Sequence, residues 1–260
     1  MQNYSSIEIA DVVKLAKAIR VSSLKITSAS SSSHIGSCFS VADVLAAILL
    51  KGKENRSKLF FSKGHAAAAL YAGLNDIGEI SDQVLSTFAK NGSELIGHVS
   101  NKVPGVIFST GSLGHGLPVA AGYAQGDASS HVYVILSDGE LNEGTTWETL
   151  ALARHLQIKN LRIVIDCNGI QSFGSTKEVL DLDPLAEKFE SFGWTCREFD
   201  GHNYEELFDI FLKDKTKSFE IYLAKTVKGK GIKVMENQLA WHYKSWPQET
   251  LDLAIQELIG

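Results

Sequence analysis

Residues 132–148 read VYVILSDGELNEGTTWE. An unbroken apolar run from Val132 to Leu136 gives way to Ser137-Asp138-Gly139, and a helical pattern starts a few residues later. A short apolar run that stops at turn residues and feeds a helix reads as a buried strand of a parallel sheet. Asp138 then lies at the carboxyl end of that strand, the edge at which open α/β sheets bind ligands. The backbone N–H groups that open the following helix suit a diphosphate, and Gly139 lets the chain approach a phosphate with no side chain in the way.

The next such run, LRIVID, ends at Cys167-Asn168-Gly169-Ile170, which puts Asn168 thirty positions after Asp138 in sequence but beside it in a parallel sheet. A carboxylate, an amide oxygen and a loop carbonyl are hard oxygen donors, suited to Mg²⁺, or Ca²⁺, shared with phosphate oxygens. Asp-Gly and Asn-Gly are also common turn dipeptides, so on these residues alone both readings stand. The stretch GELNEGTT falls short of a P-loop because Thr145 stands where the phosphate-contacting lysine belongs. The sequence contains no GxGxxG, which removes the simplest nicotinamide reading.

Outward from this pair, strands and helices alternate. LFFS precedes a helical stretch from Gly64 to Asn75, and HVYVILSD precedes one from Glu143 to Leu156. LRIVIDCN precedes Pro184 to Phe192, while TCREF and FEIYLAKT flank a helix at Tyr204 to Leu212. The expected fold is α/β, a doubly wound, mostly parallel sheet of about five or six strands with helices on both faces, and residues 1–260 as one domain. Ile9, Val12, Val13, Ala16 and Ile19 give a first amphipathic helix running toward Ser28. A loop from Ser28 to His34 and a second helix over Val41 to Leu50 follow. Gly92 to Gly116 is a long glycine-rich segment, which inside a compact domain points to function, and Val227 to Tyr243 is a second loop. Pro247 is placed to open a closing helix over Gln248 to Leu258.

Composition narrows the function. At 260 residues, 44% hydrophobic and 21% charged, the chain can bury a full core. A net charge of −5 offers no general pull toward nucleic acid or an anionic membrane, so any bound phosphate must be held locally. Cys38, Cys167 and Cys196 are odd in number and form no CxxC, which argues against a disulfide framework or a zinc site and favours a reducing cytoplasm. The N-terminal stretch carries acidic residues and lacks the basic-then-apolar order of a signal peptide. No uninterrupted apolar run reaches the roughly 18 residues of a membrane span.

Three of the eight histidines sit in glycine-bearing loops: His34 before Gly36, His65 after Gly64 and His98 after Gly97. Flexible backbone beside an imidazole suits a site, and imidazole can hydrogen-bond phosphate or alkoxide oxygens or move protons near neutral pH.

These motifs, in this order, resemble the N-terminal half of the transketolases over essentially the whole chain. The carrying stretches are SHIGS, SKGHAAAALY, GHVSNKVPGVIFSTGSLGHG, the SDG and Asn168 pair, CNGIQSFGST, DGHN, KTVKGKG and WHYKSW. The resemblance implies a thiamine-diphosphate-binding fold in which Asp138, the Asn168 side chain and the Ile170 carbonyl ligate the metal that bridges thiamine diphosphate. It implies that His34, His65 and His98 face the reacting oxygens, with His65 and His242 near the diphosphate. Gly111, Ser112, Leu113 and Gly114 would contact the cofactor, Leu113 against the thiamine, and Glu143 would take part in contacts across a subunit interface. The alternative for Glu143 is a carboxylate favoured at a helix start. His202 is expected to help begin the next helix, and Trp147, Phe192 and Trp194 to serve the core.

Three departures stand out: Ile35 for the proline of a family His-Pro-Gly, Ser137 for the first glycine of GDG, and His115 for the glutamine of GSLGQG. The last adds a titratable group near the cofactor. The family's pyrimidine-binding domain, with the glutamate that activates the cofactor, has no counterpart in these 260 residues. The resemblance therefore implies ketol transfer between sugars or sugar phosphates, with a C-terminal partner chain supplying that domain in an α2β2 heterotetramer. A naturally split enzyme is favoured over a piece of a longer chain, because Lys225 to Gly260 runs through a complete loop and closing helix. An α subunit of a 2-oxoacid dehydrogenase and a catalytically silent scaffold are the competing readings.

Overall fold

The computed structural model describes residues 7–55, 57–213 and 217–260. In chain order the elements are α1 (Ile9–Ala29), α2 (Ile35–Asn55), β1 (Lys58–Phe61), α3 (Ala67–Asp76), α4 (Asp82–Leu85), α5 (Gly116–Gly126) and β2 (Val132–Ser137). Then follow α6 (Gly144–His155), β3 (Leu161–Cys167), β4 (Ile170–Gln171), β5 (Gly174–Ser175), α7 (Thr176–Leu180) and α8 (Leu185–Ser191). β6 (Thr195–Asp200), α9 (Tyr204–Leu207), β7 (Glu220–Lys225) and α10 (Leu251–Ile259) complete the chain.

Five strands form one parallel sheet in the order β1-β2-β3-β7-β6. Every residue of β2 is buried, and its side chains alternate between two cores. Tyr133 and Ile135 join the cluster built with α1, α2 and α3, while Val132, Val134 and Leu136 join the one built with α5, α6 and α8. Helices on both faces explain why the strand sequence is continuously apolar instead of alternating with polar residues. The register pairs Ser137 with Asp166, so Asp138 and Asn168 leave the sheet at neighbouring strand ends, as the parallel reading required.

Two expectations need correction. α2 begins at Ile35, six residues before Val41, and the N–H groups of Ser37 and Cys38 donate to the His34 carbonyl at 3.0 and 3.1 Å to start it. From Ile35 to Leu49 this helix is buried on every side, which erases the amphipathic period by which a helix start is read. For the same reason its 18 residues Ile35–Gly52 are long and apolar enough to cross a membrane. They are nonetheless 89% buried within the fold and serve as a core helix. Helix α5 and the β4–β5 hairpin were not anticipated at all. Trp194 is buried and Trp147 stacks on Phe189 at 5.3 Å, in the core as expected.

Candidate active site

The carboxyl ends of β1, β2, β3 and β7 converge on a cleft of about 650 Å³, within the range typical of small-molecule sites. Asp138 lies on its floor. Its Oδ1 accepts the Gly139 N–H at 2.8 Å and its Oδ2 accepts the Gly169 N–H at 2.7 Å, so loops from two strands grip one carboxylate. Burial first, then the charge of Asp166, lifts the Asp138 carboxyl to about 6. Asn168 Oδ1 accepts the Ile170 N–H at 3.1 Å, and Asn168 and Ile170 line the same cleft.

Behind Asp138 lies a buried ion pair that the sequence did not announce. Lys63 and Asp166 are both fully buried, and the Lys63 ammonium donates to the Asp166 carboxylate as well as to the Ser37 carbonyl at 3.1 Å and Ser40 Oγ at 3.0 Å. Asp166 also accepts from Ser40 Oγ at 2.6 Å, from Thr226 Oγ1 and from Asn168 Nδ2 at 3.3 Å. Burial alone would raise the Asp166 carboxyl, but the Lys63 charge and these hydrogen bonds hold it below the usual range. The signal was a charged residue inside an otherwise apolar strand.

A second lysine, Lys228, donates to the Ile170 carbonyl at 3.1 Å, to Ser37 Oγ at 3.3 Å and to His242 Nδ1 at 3.0 Å. Burial, then repulsion from Lys63, lowers Lys228 to about 8. Because an ammonium only donates, His242 Nδ1 accepts, which fixes the neutral tautomer with its proton on Nε2.

The four histidines expected in the site are brought together. The His34 ring lies 5.5 Å from His65, 6.0 Å from His98 and 4.9 Å from His242, and His65 lies 5.6 Å from His242. His65, His98 and His242 line the cleft, and His34 lines an adjoining depression that shares His65 and His98. Burial, then neighbouring charges, pushes His34 down to about 4, His242 to about 3 and His65 well below its ordinary value. Near neutral pH these three rings are uncharged, able both to donate and to accept a hydrogen bond.

The glycine loop closes one wall. Gly111 and Leu113 line the cleft, whereas Ser112 is exposed and the Gly114 N–H donates to Glu140 Oε1 at 2.9 Å. Glu140 is fully buried and also accepts from Ser62 Oγ, which ties this loop to the ends of β1 and β2. Glu143 occupies the N-cap position of α6 with an exposed side chain against Gly114. His115 is exposed, sits over its own Leu113 carbonyl at 3.0 Å, and is not among the residues lining the cleft. His202 does not begin the next helix: Asn203 caps α9, accepting the Glu205 and Glu206 N–H groups, while the His202 ring turns to Asp43.

The residues fit a metal and a diphosphate. A buried carboxylate raised to about 6 calls for a cation, and Asn168 and Ile170 add oxygen donors beside it. A Cβ on Gly139 would lie 3.0 Å from Gln171 Cβ, and one on Gly111 would lie 3.1 Å from His98, so the backbone leaves a cradle that side chains would fill. Gln171 Nε2, buried at the cleft wall, has no hydrogen-bond partner among the described residues and can donate to an anionic ligand. Lys63, Lys228 and Gln171 are functional candidates that sequence reasoning missed.

Residues 12–254 match the family of the transketolase thiamine diphosphate binding domain. One of the two chains of an apulose-4-phosphate transketolase from Actinobacillus succinogenes, named as a subunit, is 34% identical over 265 residues, covering 95% of this chain and 96% of that protein. Human transketolase is 35% identical over 257 residues, covering 94% of this chain but 41% of its own length, so this chain spans well under half of that relative. Among solved structures, transketolase from Campylobacter jejuni superposes with a TM-score of 0.84 at 25% identity, covering 98% of this chain and 43% of that one. Transketolase from Leishmania mexicana gives a TM-score of 0.87 at 24% identity over 98% of this chain and 42% of that one, a likeness of fold. With the strand-end carboxylate, the histidine cluster and these matches in agreement, the chain belongs to the transketolase family and carries its thiamine diphosphate-binding domain.

Proposed function

We propose that residues 1–260 act as one diphosphate-binding domain, the first subunit of a two-chain transketolase. With a partner chain that carries the pyrimidine-binding domain, it would transfer a two-carbon ketol unit from a ketose phosphate to an aldose phosphate. The observation that carries this reading is one cleft that gathers Asp138, Asn168 and Ile170 at adjacent strand ends with His65, His98 and His242 around them. The near full-length match to a relative named as a subunit supports the division into two chains. An α2β2 assembly follows from the family's habit of building sites between subunits. The unpaired thiols of Cys38, Cys167 and Cys196 suit a cytoplasmic setting.

In this reading Asp138, the Asn168 side chain and the Ile170 carbonyl hold Mg²⁺, with Ca²⁺ as the alternative. His65, His242, Gly139 and the Gly111 to Gly114 loop, including Ser112 and Leu113, hold thiamine diphosphate. When bound, thiamine diphosphate supplies the carbon nucleophile that cleaves a ketose and carries the two-carbon unit. His34 and His98, with His65 and His242, hold the substrate's carbonyl and hydroxyl oxygens and pass protons to and from them. Their suppressed basicity suits this, since a neutral ring can give its proton to a developing alkoxide and recover it from a hydroxyl. Glu143, exposed at the start of α6, is assigned to the contact with a neighbouring subunit.

The test is calorimetry with thiamine diphosphate and Mg²⁺, followed by reconstitution with the pyrimidine-domain chain from the same organism. Metal-dependent binding, with ketol transfer only after the two chains are mixed, is the expected outcome. Absence of metal-dependent binding even in the mixture, or full turnover by this chain alone, would overturn the reading.

A further inference from the structure

Lys228 reaches the cleft from the loop that follows β7, and three backbone N–H groups tether that loop. Thr226 donates to the Cys167 carbonyl at 3.2 Å, Gly229 to the Gly36 carbonyl at 2.9 Å, and Val227 to His202 Nε2 at 2.8 Å. Of the three, only the tether beside Lys228 runs through a side chain. The Val227 N–H is a donor, so Nε2 must accept, which leaves the ring proton on Nδ1 and directs it at Asp43 Oδ2, 2.6 Å away.

Asp43 is itself fixed. It lies on α2, 1% exposed, with a bidentate grip from Arg20 of α1 at 2.7 and 2.6 Å and a hydrogen bond from Tyr204 OH at 2.9 Å. Arg20 also donates to the Phe39 carbonyl at 3.0 Å. Burial would raise the Asp43 carboxyl, but Arg20 and the His202 hydrogen bond outweigh it and hold it far below the usual range. A permanent carboxylate at that place keeps the proton on Nδ1, and therefore keeps Nε2 open to Val227.

We propose that His202 is a positioning residue: oriented by the Arg20–Asp43 pair, it fixes Val227 and thereby the placement of Lys228 against the Ile170 carbonyl and His242. The consequence for cofactor binding rests on the reading of the cleft given above; the tether itself does not.

Two substitutions separate the halves of the ring. His202→Gln keeps an acceptor where Nε2 stands and gives up the contact with Asp43, whereas His202→Asn keeps a donor where Nδ1 stands and leaves Val227 without an acceptor. Amide hydrogen exchange of the cofactor-free full chain is read at Val227, and calorimetry with thiamine diphosphate and Mg²⁺ is read alongside. His202→Asn is expected to speed exchange at Val227 and to weaken cofactor binding, each by roughly tenfold or more, while His202→Gln stays within about threefold of wild type on both. Tyr204→Phe, which removes one hydrogen bond to Asp43 without touching the loop, leaves Val227 exchange unchanged. Wild-type protection at Val227 in His202→Asn would overturn the proposal, and so would equal losses in the Gln and Asn variants, since a role confined to satisfying Asp43 predicts the opposite order. If the wild-type chain binds no thiamine diphosphate, the cofactor reading fails while the exchange comparison still decides the tether.

Discussion

Replacing Lys63 with Met should cost this protein a large part of its stability. Lys63 and Asp166 are both 0% exposed, so neither water nor ions can replace a lost partner. Lys63→Met keeps most of the side chain's volume but leaves the Asp166 carboxylate with only the hydroxyls of Ser40 and Thr226 and the Asn168 amide. Breaking a buried ion pair by removing one member costs about 3–5 kcal/mol, set against a net stability of about 5–15 kcal/mol for a folded domain. Urea denaturation should therefore show an early unfolding midpoint for Lys63→Met. Asp166→Asn, which leaves the ammonium unpaired, should be destabilised on a similar scale. The double variant should be more stable than the sum of the singles predicts, by about 1–3 kcal/mol, because the second change removes the charge that the first left stranded. A Lys63→Met protein within about 1 kcal/mol of wild type, or strictly additive singles, would refute the claim that this pair is a buried, mutually dependent unit. The cleft should feel the change as well: the Lys63 charge offsets part of the repulsion between Asp166 and Asp138, so its loss should weaken metal-dependent cofactor binding.

Two further outcomes follow from the same electrostatics. Asp138→Asn should leave the stability of the cofactor-free chain within about 2 kcal/mol of wild type, because removing a charge lifted to about 6 relieves roughly 3 kcal/mol at pH 7. Turning an amide NH₂ toward the Gly139 or Gly169 N–H returns about 1–3 kcal/mol of that; Mg²⁺-dependent thiamine diphosphate binding should nonetheless fall by roughly 100-fold or more in calorimetry. His34, pushed down to about 4 by burial and then by nearby positive charges, should make the fold acid-sensitive. Between about 4 and 6.5 the unfolded chain binds a proton that the folded one refuses, so stability is greatest above about 6.5 and falls as pH drops through that window. Denaturation midpoints at pH 7, 5.5 and 4.5 should fall less steeply in His34→Gln than in wild type, and parallel slopes would contradict the assignment.

How far the site could be read from sequence depended on the range of the interactions that make it. The strand ends were legible because β2 and β3 are buried on both faces and so keep continuous apolar runs, and parallel adjacency alone then brings Asp138 and Asn168 together. The start of α2 was illegible for a related reason: full burial removes the polar face that betrays a helix, so Ile35 to Ser40 passed for loop. Helix α5 was hidden by its composition, GLPVAAGYAQG, whose three glycines and proline are poor helix formers held in place by packing. The two site lysines stood in quoted motifs, but their importance depends on partners far away in the chain, Asp166 for Lys63 and Ile170 and His242 for Lys228. His202 illustrates the same limit: local sequence suggests a helix cap, yet the neighbouring Asn203 takes that work and frees the ring for Asp43.

The distribution of charge at the cleft floor bears on the order in which the site fills. Lys63 and Asp166 neutralise each other, which leaves Asp138 and Lys228 as the groups able to respond to a ligand. Burial pushes Asp138 up to about 6 and Lys228 down to about 8, so each holds its charge less firmly than it would in water. A cation alone would restore Asp138 but repel Lys228, which already donates to the carbonyl of Ile170, one of the proposed metal donors. An anion alone would restore Lys228 but repel Asp138. Only a cation and an anion arriving together stabilise both groups, and the coupling is reciprocal, so the metal and the diphosphate must each raise the other's affinity. The neutral histidines fit the same scheme, because protonated rings beside two lysines would add positive charge to a floor that is otherwise balanced.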